Sequence, residues 1–138
     1  MRIVFGTDSD NALTRAVLDA LEERGHEVKQ VAAGEEWPEV GRAVARAVVS
    51  GEAERGVVCC WTGTGVTIAA NKVVGARAAL CTDAATAAGA RRWNDANVLS
   101  FGLRLTSEDV AREMLDAFLS TEPDESELPT ISRIEAQS

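Results

Sequence analysis

Five times along this chain a short run of strand character closes on a glycine or a polar turn and gives way to a segment of helical character. The runs are Arg2–Gly6, His26–Val31, Gly56–Cys60, Ala76–Cys81 and Asn97–Phe101. Leu13, Ala16, Val17, Ala20 and Leu21 carry the helical period after the first run, and Val40, Val44, Ala47 and Val48 after the second. Asp10 is the expected N-cap of the first helix, Pro38 suits the first turn of the second, and Gly25 and Gly51 end them. Asp83 caps an alanine-rich helix expected to run to about Arg92. A last helix starts near Ser107 with Val110, Met114, Leu115 and Phe118 on its core face. Strands that alternate with helices pair in parallel through right-handed crossovers, which puts helices on both faces of one sheet. The expected fold is therefore a single-domain α/β structure, a doubly wound, Rossmann-like five-stranded parallel sheet over residues 1–120. Thr121 to Leu128 breaks the pattern with charge and proline, so residues 121–138 read as a C-terminal tail.

At 138 residues the chain can bury one core but not two. A net charge of −8 argues against a general nucleic-acid binder, which needs clustered positive charge, yet leaves room for one small anion held by backbone amides. No apolar run approaches the roughly 20 residues of a membrane span, and Met1-Arg2 leads straight into a strand without the pattern of a secretory signal. Three cysteines, two of them adjacent, do not make a disulfide framework. A reducing, cytoplasmic location is expected. With one histidine and no paired cysteine spacing, neither a metal nor another cofactor is expected.

Ligands of such sheets bind beyond the carboxyl ends of the strands, here the loops Thr7–Asn11, Trp61–Gly65 and Gly102–Arg104. The segment richest in chemistry runs from Cys59 to Lys72: a thiol at a strand end, a loop with Gly63 and Gly65, then a helix. Glycines let backbone N–H groups approach an anion, and the helix dipole adds positive potential there. The same field lowers a thiol's pKa and stabilises an enediolate. Two readings of Cys60 stand on these local features, an inert buried thiol or a reactive one.

The string Cys60-Trp-Thr-Gly-Thr-Gly-Val-Thr-Ile-Ala-Ala-Asn-Lys72 resembles the signature Cys-Gly-Thr-Gly-x-Gly-x-Ser-Ile-Ala-Ala-Asn-Lys of the ribose-5-phosphate isomerase B family, which includes the galactose-6-phosphate isomerase subunits. Phe5-Gly-Thr-Asp8 is similar to that family's Phe-Gly-x-Asp-His, and Trp93 to Arg104 to its His-Asn-Asp-x-Asn-Val-Leu-x-Phe-Gly-x-Arg. The resemblance implies a homodimer, or a tetramer, with sites between subunits, no metal, and aldose–ketose isomerisation of a phosphorylated sugar through a cis-enediol(ate). It places the catalytic thiol at Cys60, a neighbouring hydroxyl at Thr62, and the anion loop at Trp61, Gly63, Thr64 and Gly65. Asp8, Ser9, Trp93, Asn94 and Arg104 fall on substrate-binding positions, and Arg133 matches a tail arginine that reaches the partner's phosphate, or is a solvated tail charge. Some members use a glutamate where this chain has Val66, so the thiol type is implied.

The departures carry information too. Ser9 replaces one histidine, and Trp93 stands where the family has its ring-opening histidine; Pro129 takes the place of a further tail arginine. His26, the sole histidine, is expected at the surface. Trp93 is either a core plug or a wall of the sugar pocket, Trp37 is expected in the core, and Trp61 points into the site or across a dimer seam. The leading function is sugar-phosphate isomerisation on an open-chain substrate such as a tetrulose phosphate, with a branched sugar phosphate as an alternative within the class. A non-catalytic subunit or ligand-binding module on the same scaffold is the reading from a different class. A thiol redox protein fits less well, for want of a resolving cysteine two residues away.

Overall fold

The computed structural model describes residues 1–135. β1 (Arg2–Thr7) and β3 (Arg55–Cys60) pair in parallel at its centre, with Thr7 opposite Cys59. β2 (Glu27–Gln30) lies outside β1, and β5 (Val98–Gly102) separates β3 from the edge strand β4 (Ala78–Leu80). The sheet order is thus β2-β1-β3-β5-β4, all parallel, with the direction of winding reversing between β1 and β3. A reversal of this kind opens a crevice at the carboxyl ends of the two strands.

Successive strand residues face opposite sides, and both sides are covered. On one face Ile3, Phe5, Val57, Cys59, Leu99 and Phe101 pack against α1 (Ala12–Glu23), α4 (Ala84–Asn94) and α5 (Glu108–Ser120). On the other, Val4, Val58, Cys60 and Val98 meet α2 (Trp37–Val49) and α3 (Thr64–Asn71). Gly41 lets α2 sit directly on the first turn of α3, since a Cβ there would lie 2.6 Å from the Val66 carbonyl oxygen. The doubly wound sheet is the one expected.

Several local expectations are corrected. The N-cap of α1 is Asn11, not Asp10: Asn11 accepts from the Thr14 N–H while the Thr14 hydroxyl accepts from the Asn11 N–H, a reciprocal capping box that Asp10 has no partner to make. β4 is shorter than Ala76–Cys81: the Arg77 N–H donates to the Asn97 side chain instead of a strand carbonyl, and Asn71 uses both ends of its amide on the Ala78 N–H and C=O along the outer edge. α4 continues past Arg92 through Asn94, stopped by Asp95 in the left-handed region at φ 47°. Trp93 and Asn94 consequently sit on the last turn of a helix. Trp37 is 44% exposed rather than in the core.

Arg91, 1% exposed, ties α4 to the tail. Its guanidinium donates to the carbonyls of Thr121 (3.0 Å) and Ala96 (2.6 Å) and to the Asp95 carboxylate (2.8 Å), and lies over the Phe118 ring. The tail then forms a 3₁₀ turn at Glu125–Glu127 and a short α6 (Leu128–Ile131), and the Glu135 carboxylate accepts from the Gly75 N–H. Breaking a buried, multiply bonded charge costs several kcal/mol because its partners lose their donor. Arg91→Leu is therefore expected to lower the unfolding free energy by about 3 kcal/mol in urea titrations. An unchanged midpoint and slope would show that the tail is held by other contacts.

Candidate active site

Cys60 ends β3 on the α2–α3 side of the sheet, 5% exposed. Directly after it the chain turns through Trp61 and Thr62 into Gly63, whose φ of 78° is the left-handed conformation that glycine adopts without strain, and α3 begins. The first-turn N–H groups of α3, those of Thr64, Gly65 and Val66, have no acceptor within the helix and point out of its positive end. The loop is pressed onto the end of β5. A Cβ on Gly63 would lie 2.7 Å from the Phe101 carbonyl carbon, and one on Gly102 only 2.5 Å from the Thr62 carbonyl oxygen. The Leu103 and Arg104 N–H groups donate to the carbonyls of Cys60 (2.9 Å) and Trp61 (2.8 Å), so Arg104 is fixed beside the thiol loop.

Polar side chains complete this end of the sheet. The hydroxyls of Thr62 and Thr64 are 2.8 Å apart at the loop surface. Beneath it the Thr67 hydroxyl donates to the Gly63 carbonyl at 2.6 Å and also contacts the fully buried Ser100 hydroxyl. Asp8 and Ser9 follow β1 and share a hydrogen bond of 3.2 Å; they line a cavity of about 390 Å³ with Thr14, Arg15, Gln30 and Gly34. The Trp37 indole lies across Gly65, where a Cβ would meet its six-membered ring at 2.7 Å, so this tryptophan braces the anion loop from outside. Val66 is fully buried, leaving the position of the glutamate alternative to an apolar side chain.

Trp93, Asn94 and Arg133 are not brought to this place. α4 returns antiparallel to the strands, and its 11 residues carry the chain about 16 Å from the end where Cys60 lies. Trp93 packs against Gly89 while remaining 54% exposed, so it is no core plug, and lines a groove of about 580 Å³ with Leu80, Cys81 and Thr86. Arg133 is exposed in the tail. Trp61 is 62% exposed. His26 stands beside the amino terminus, its Nδ1 3.1 Å from the Met1 nitrogen, at the opposite end of the sheet from Cys60. Among the described residues no cluster of His, Cys, Asp and Glu is arranged to hold a metal, and no helix is long and apolar enough to cross a membrane.

The profile of the ribose/galactose isomerases matches residues 3–136. The chain belongs to that family. It is accordingly an isomerase, an intramolecular oxidoreductase. It is 38% identical over 126 residues to the ribose-5-phosphate isomerase B of Escherichia coli, covering 88% of this chain and 85% of that one. To the D-erythrulose-4-phosphate isomerase of Pectobacterium atrosepticum it is 36% identical over 128 residues, covering 88% and 84%. The solved structure of Clostridium thermocellum ribose-5-phosphate isomerase B superposes with a TM-score of 0.91 at 39% identity, over 98% of this chain and 95% of that one.

Cys59 and Cys81 are buried in the core on the opposite face of the sheet from Cys60. Burial pushes the Cys59 thiol up to about 12 and Cys81 up to about 11, from an ordinary value of 9.0. Above pH 9 such thiols ionise in the unfolded chain while staying protonated in the fold, so stability is complete below that pH and is lost as pH rises toward 11–12. Unfolding free energy should fall by up to about 1.4 kcal/mol per pH unit for each buried thiol, and Cys59→Ala should flatten that slope. A slope identical in Cys59→Ala would refute the assignment.

Proposed function

We propose that this isomerase shifts a carbonyl between adjacent carbons of an open-chain sugar phosphate, such as a tetrulose phosphate, with Cys60 as the base. The observation that carries the reading is a thiol at the end of β3 immediately before the positive end of α3. The Cys60 thiolate takes the proton from the carbon beside the carbonyl, and the electron pair moves into a cis-enediolate. The N–H groups of Thr64, Gly65 and Val66 stabilise its oxygens, Thr62 shares the hydroxyl proton between them, and the thiol returns its proton to the neighbouring carbon. Asp8, Ser9 and Arg104 hold the substrate's hydroxyls and phosphate around the crevice.

Cys60→Ala is expected to abolish turnover while Cys59→Ala, altered on the opposite face of β3, retains it. Loss of activity in Cys59→Ala alone would reverse the assignment.

The substrate follows from Trp93. Indole has no basic nitrogen near neutral pH and cannot pass a proton to a ring oxygen, so a furanose would have to open unaided. The similarity to a D-erythrulose-4-phosphate isomerase supports an acyclic substrate, since a four-carbon 4-phosphate cannot close that ring. General acid–base help is worth about 10²–10⁴ in rate, so ribose 5-phosphate should be turned over at least tenfold more slowly than a tetrulose 4-phosphate. Trp93→His should narrow the gap. Ribose 5-phosphate turnover matching a tetrulose phosphate, with no change in Trp93→His, would remove the basis for this substrate; inactivity on every four- to six-carbon sugar phosphate would favour a non-catalytic scaffold.

A second copy of the chain completes the site in this reading. Trp93, Asn94 and Arg133 lie far from Cys60 in their own subunit, and Ile68 (60% exposed), Val74 (76%) and Leu80 (40%) form an uncovered apolar surface along α3 and β4. In the tail, Leu128 and Ile134 are 45% and 52% exposed, which supports its packing on a partner. A dimer is expected in sedimentation at micromolar concentration, weakened when residues beyond Glu122 are deleted. A monomer unaffected by the deletion would contradict the arrangement.

A further inference from the structure

Two hydroxyls lie behind the anion loop, on its sheet side. Ser100 is fully buried in β5 between Leu99 and Phe101, and a hydroxyl in such surroundings is unfavourable unless it is bonded. Its side-chain contacts are the Thr67 hydroxyl and, at 3.3 Å, the Gly63 carbonyl. The Thr67 hydroxyl reaches the same carbonyl at 2.6 Å, and the Thr67 N–H reaches it at 3.3 Å. Two hydroxyl protons serve three contacts. The shortest pair settles their use: Ser100 O–H donates to the Thr67 oxygen, and Thr67 O–H donates to Gly63 C=O, with the long Ser100–Gly63 contact left as the alternate rotamer.

We infer that Ser100 and Thr67 are positioning residues, a two-hydroxyl relay that aims the oxyanion-binding N–H groups of the loop. In a trans peptide the C=O and N–H point in opposite directions. Holding the Gly63 carbonyl toward β5 therefore turns the Thr64 N–H outward, to the side where the substrate binds. A chain of hydrogen bonds also polarises the groups along it, so a carbonyl accepting from the relay makes the N–H of its own peptide a better donor. Close packing of β5 on the Gly63 Cα fixes where the residue sits, and the relay's hydrogen bonds fix how its peptide plane is turned. The aim matters because pre-oriented donors stabilise developing charge without reorganising during the reaction.

The inference rests on the isomerase reading of the site, and its test separates the two. Turnover of the best sugar phosphate is measured for wild type, Cys60→Ala, Ser100→Ala, Thr67→Val and Thr67→Ser, together with the affinity of a four-carbon hydroxamate phosphate as enediolate mimic. Loss of one fully formed oxyanion donor costs about 10²–10³ in kcat, so a misaimed one should cost about tenfold in Ser100→Ala and somewhat more in Thr67→Val. KM should change less than threefold, hydroxamate affinity should fall in step with kcat/KM, and Thr67→Ser should restore both. Thermal midpoints are recorded alongside. Wild-type kcat in folded Ser100→Ala and Thr67→Val overturns the relay while leaving the isomerase reading intact. Losses that track the thermal midpoint and leave hydroxamate affinity unchanged also overturn it, in favour of a structural role. A wild type inactive on every sugar phosphate removes both.

Discussion

Everything at the candidate site depends on how closely the loop after β3 lies on the end of β5. Gly63 and Gly102 meet at separations where a Cβ on either would fall within 2.5–2.8 Å of the opposing backbone. No rotamer adjustment relieves a clash with main chain. The contact lets the Leu103 and Arg104 N–H groups continue the ladder of β3 past its last strand residue, which ties the Arg104 backbone to the loop after the thiol. It also starts α3 where its unpaired N–H groups look over the crevice between β1 and β3. Packing from the far side, through Gly41 and the Trp37 ring, leaves the loop little freedom to move. The proposed oxyanion donors are thus set by backbone geometry, and side chains only tune them.

The same geometry underlies the proposal that one copy of the chain holds half a site. A helix that returns across the sheet carries its last turn to the opposite end, so Trp93 and Asn94 at the close of α4 cannot approach Cys60 at the close of β3. If they take the substrate-binding roles proposed for them, a second chain must bring them to Cys60, and the exposed apolar residues Ile68, Val74 and Leu80 offer it a surface.

Sequence patterning made the sheet legible because β1, β3 and β5 are short apolar runs bounded by turn residues and apolar on both faces, as a covered parallel sheet demands, whereas the edge strand β2, Glu-Val-Lys-Gln, is mostly polar. The anion loop was legible from Gly63 and Gly65 before a helix. Other features depend on partners distant in the chain. Asn11 wins the cap over Asp10 through Thr14, and α4 outlasts its expected end because Asp95 accepts a positive φ while binding Arg77 and Arg91. Trp37 looked like core by size alone; its actual seat is the bare backbone of Gly65, a surface that only tertiary contact creates. The Thr67–Ser100 contact spans 33 residues, and its one sequence signal is a lone hydroxyl inside the apolar strand Val98–Gly102.

The central claim is that the Cys60 thiol itself carries the proton between substrate carbons. Solvent deuterium incorporation, followed by NMR at the carbon beside the carbonyl of a tetrulose phosphate, reads that step directly, apart from product release. Wild type should exchange this position and Cys60→Ala should not, although its fold and its affinity for the substrate's phosphate remain. Exchange at the wild-type rate in Cys60→Ala would contradict the account, because another group would then be removing the proton.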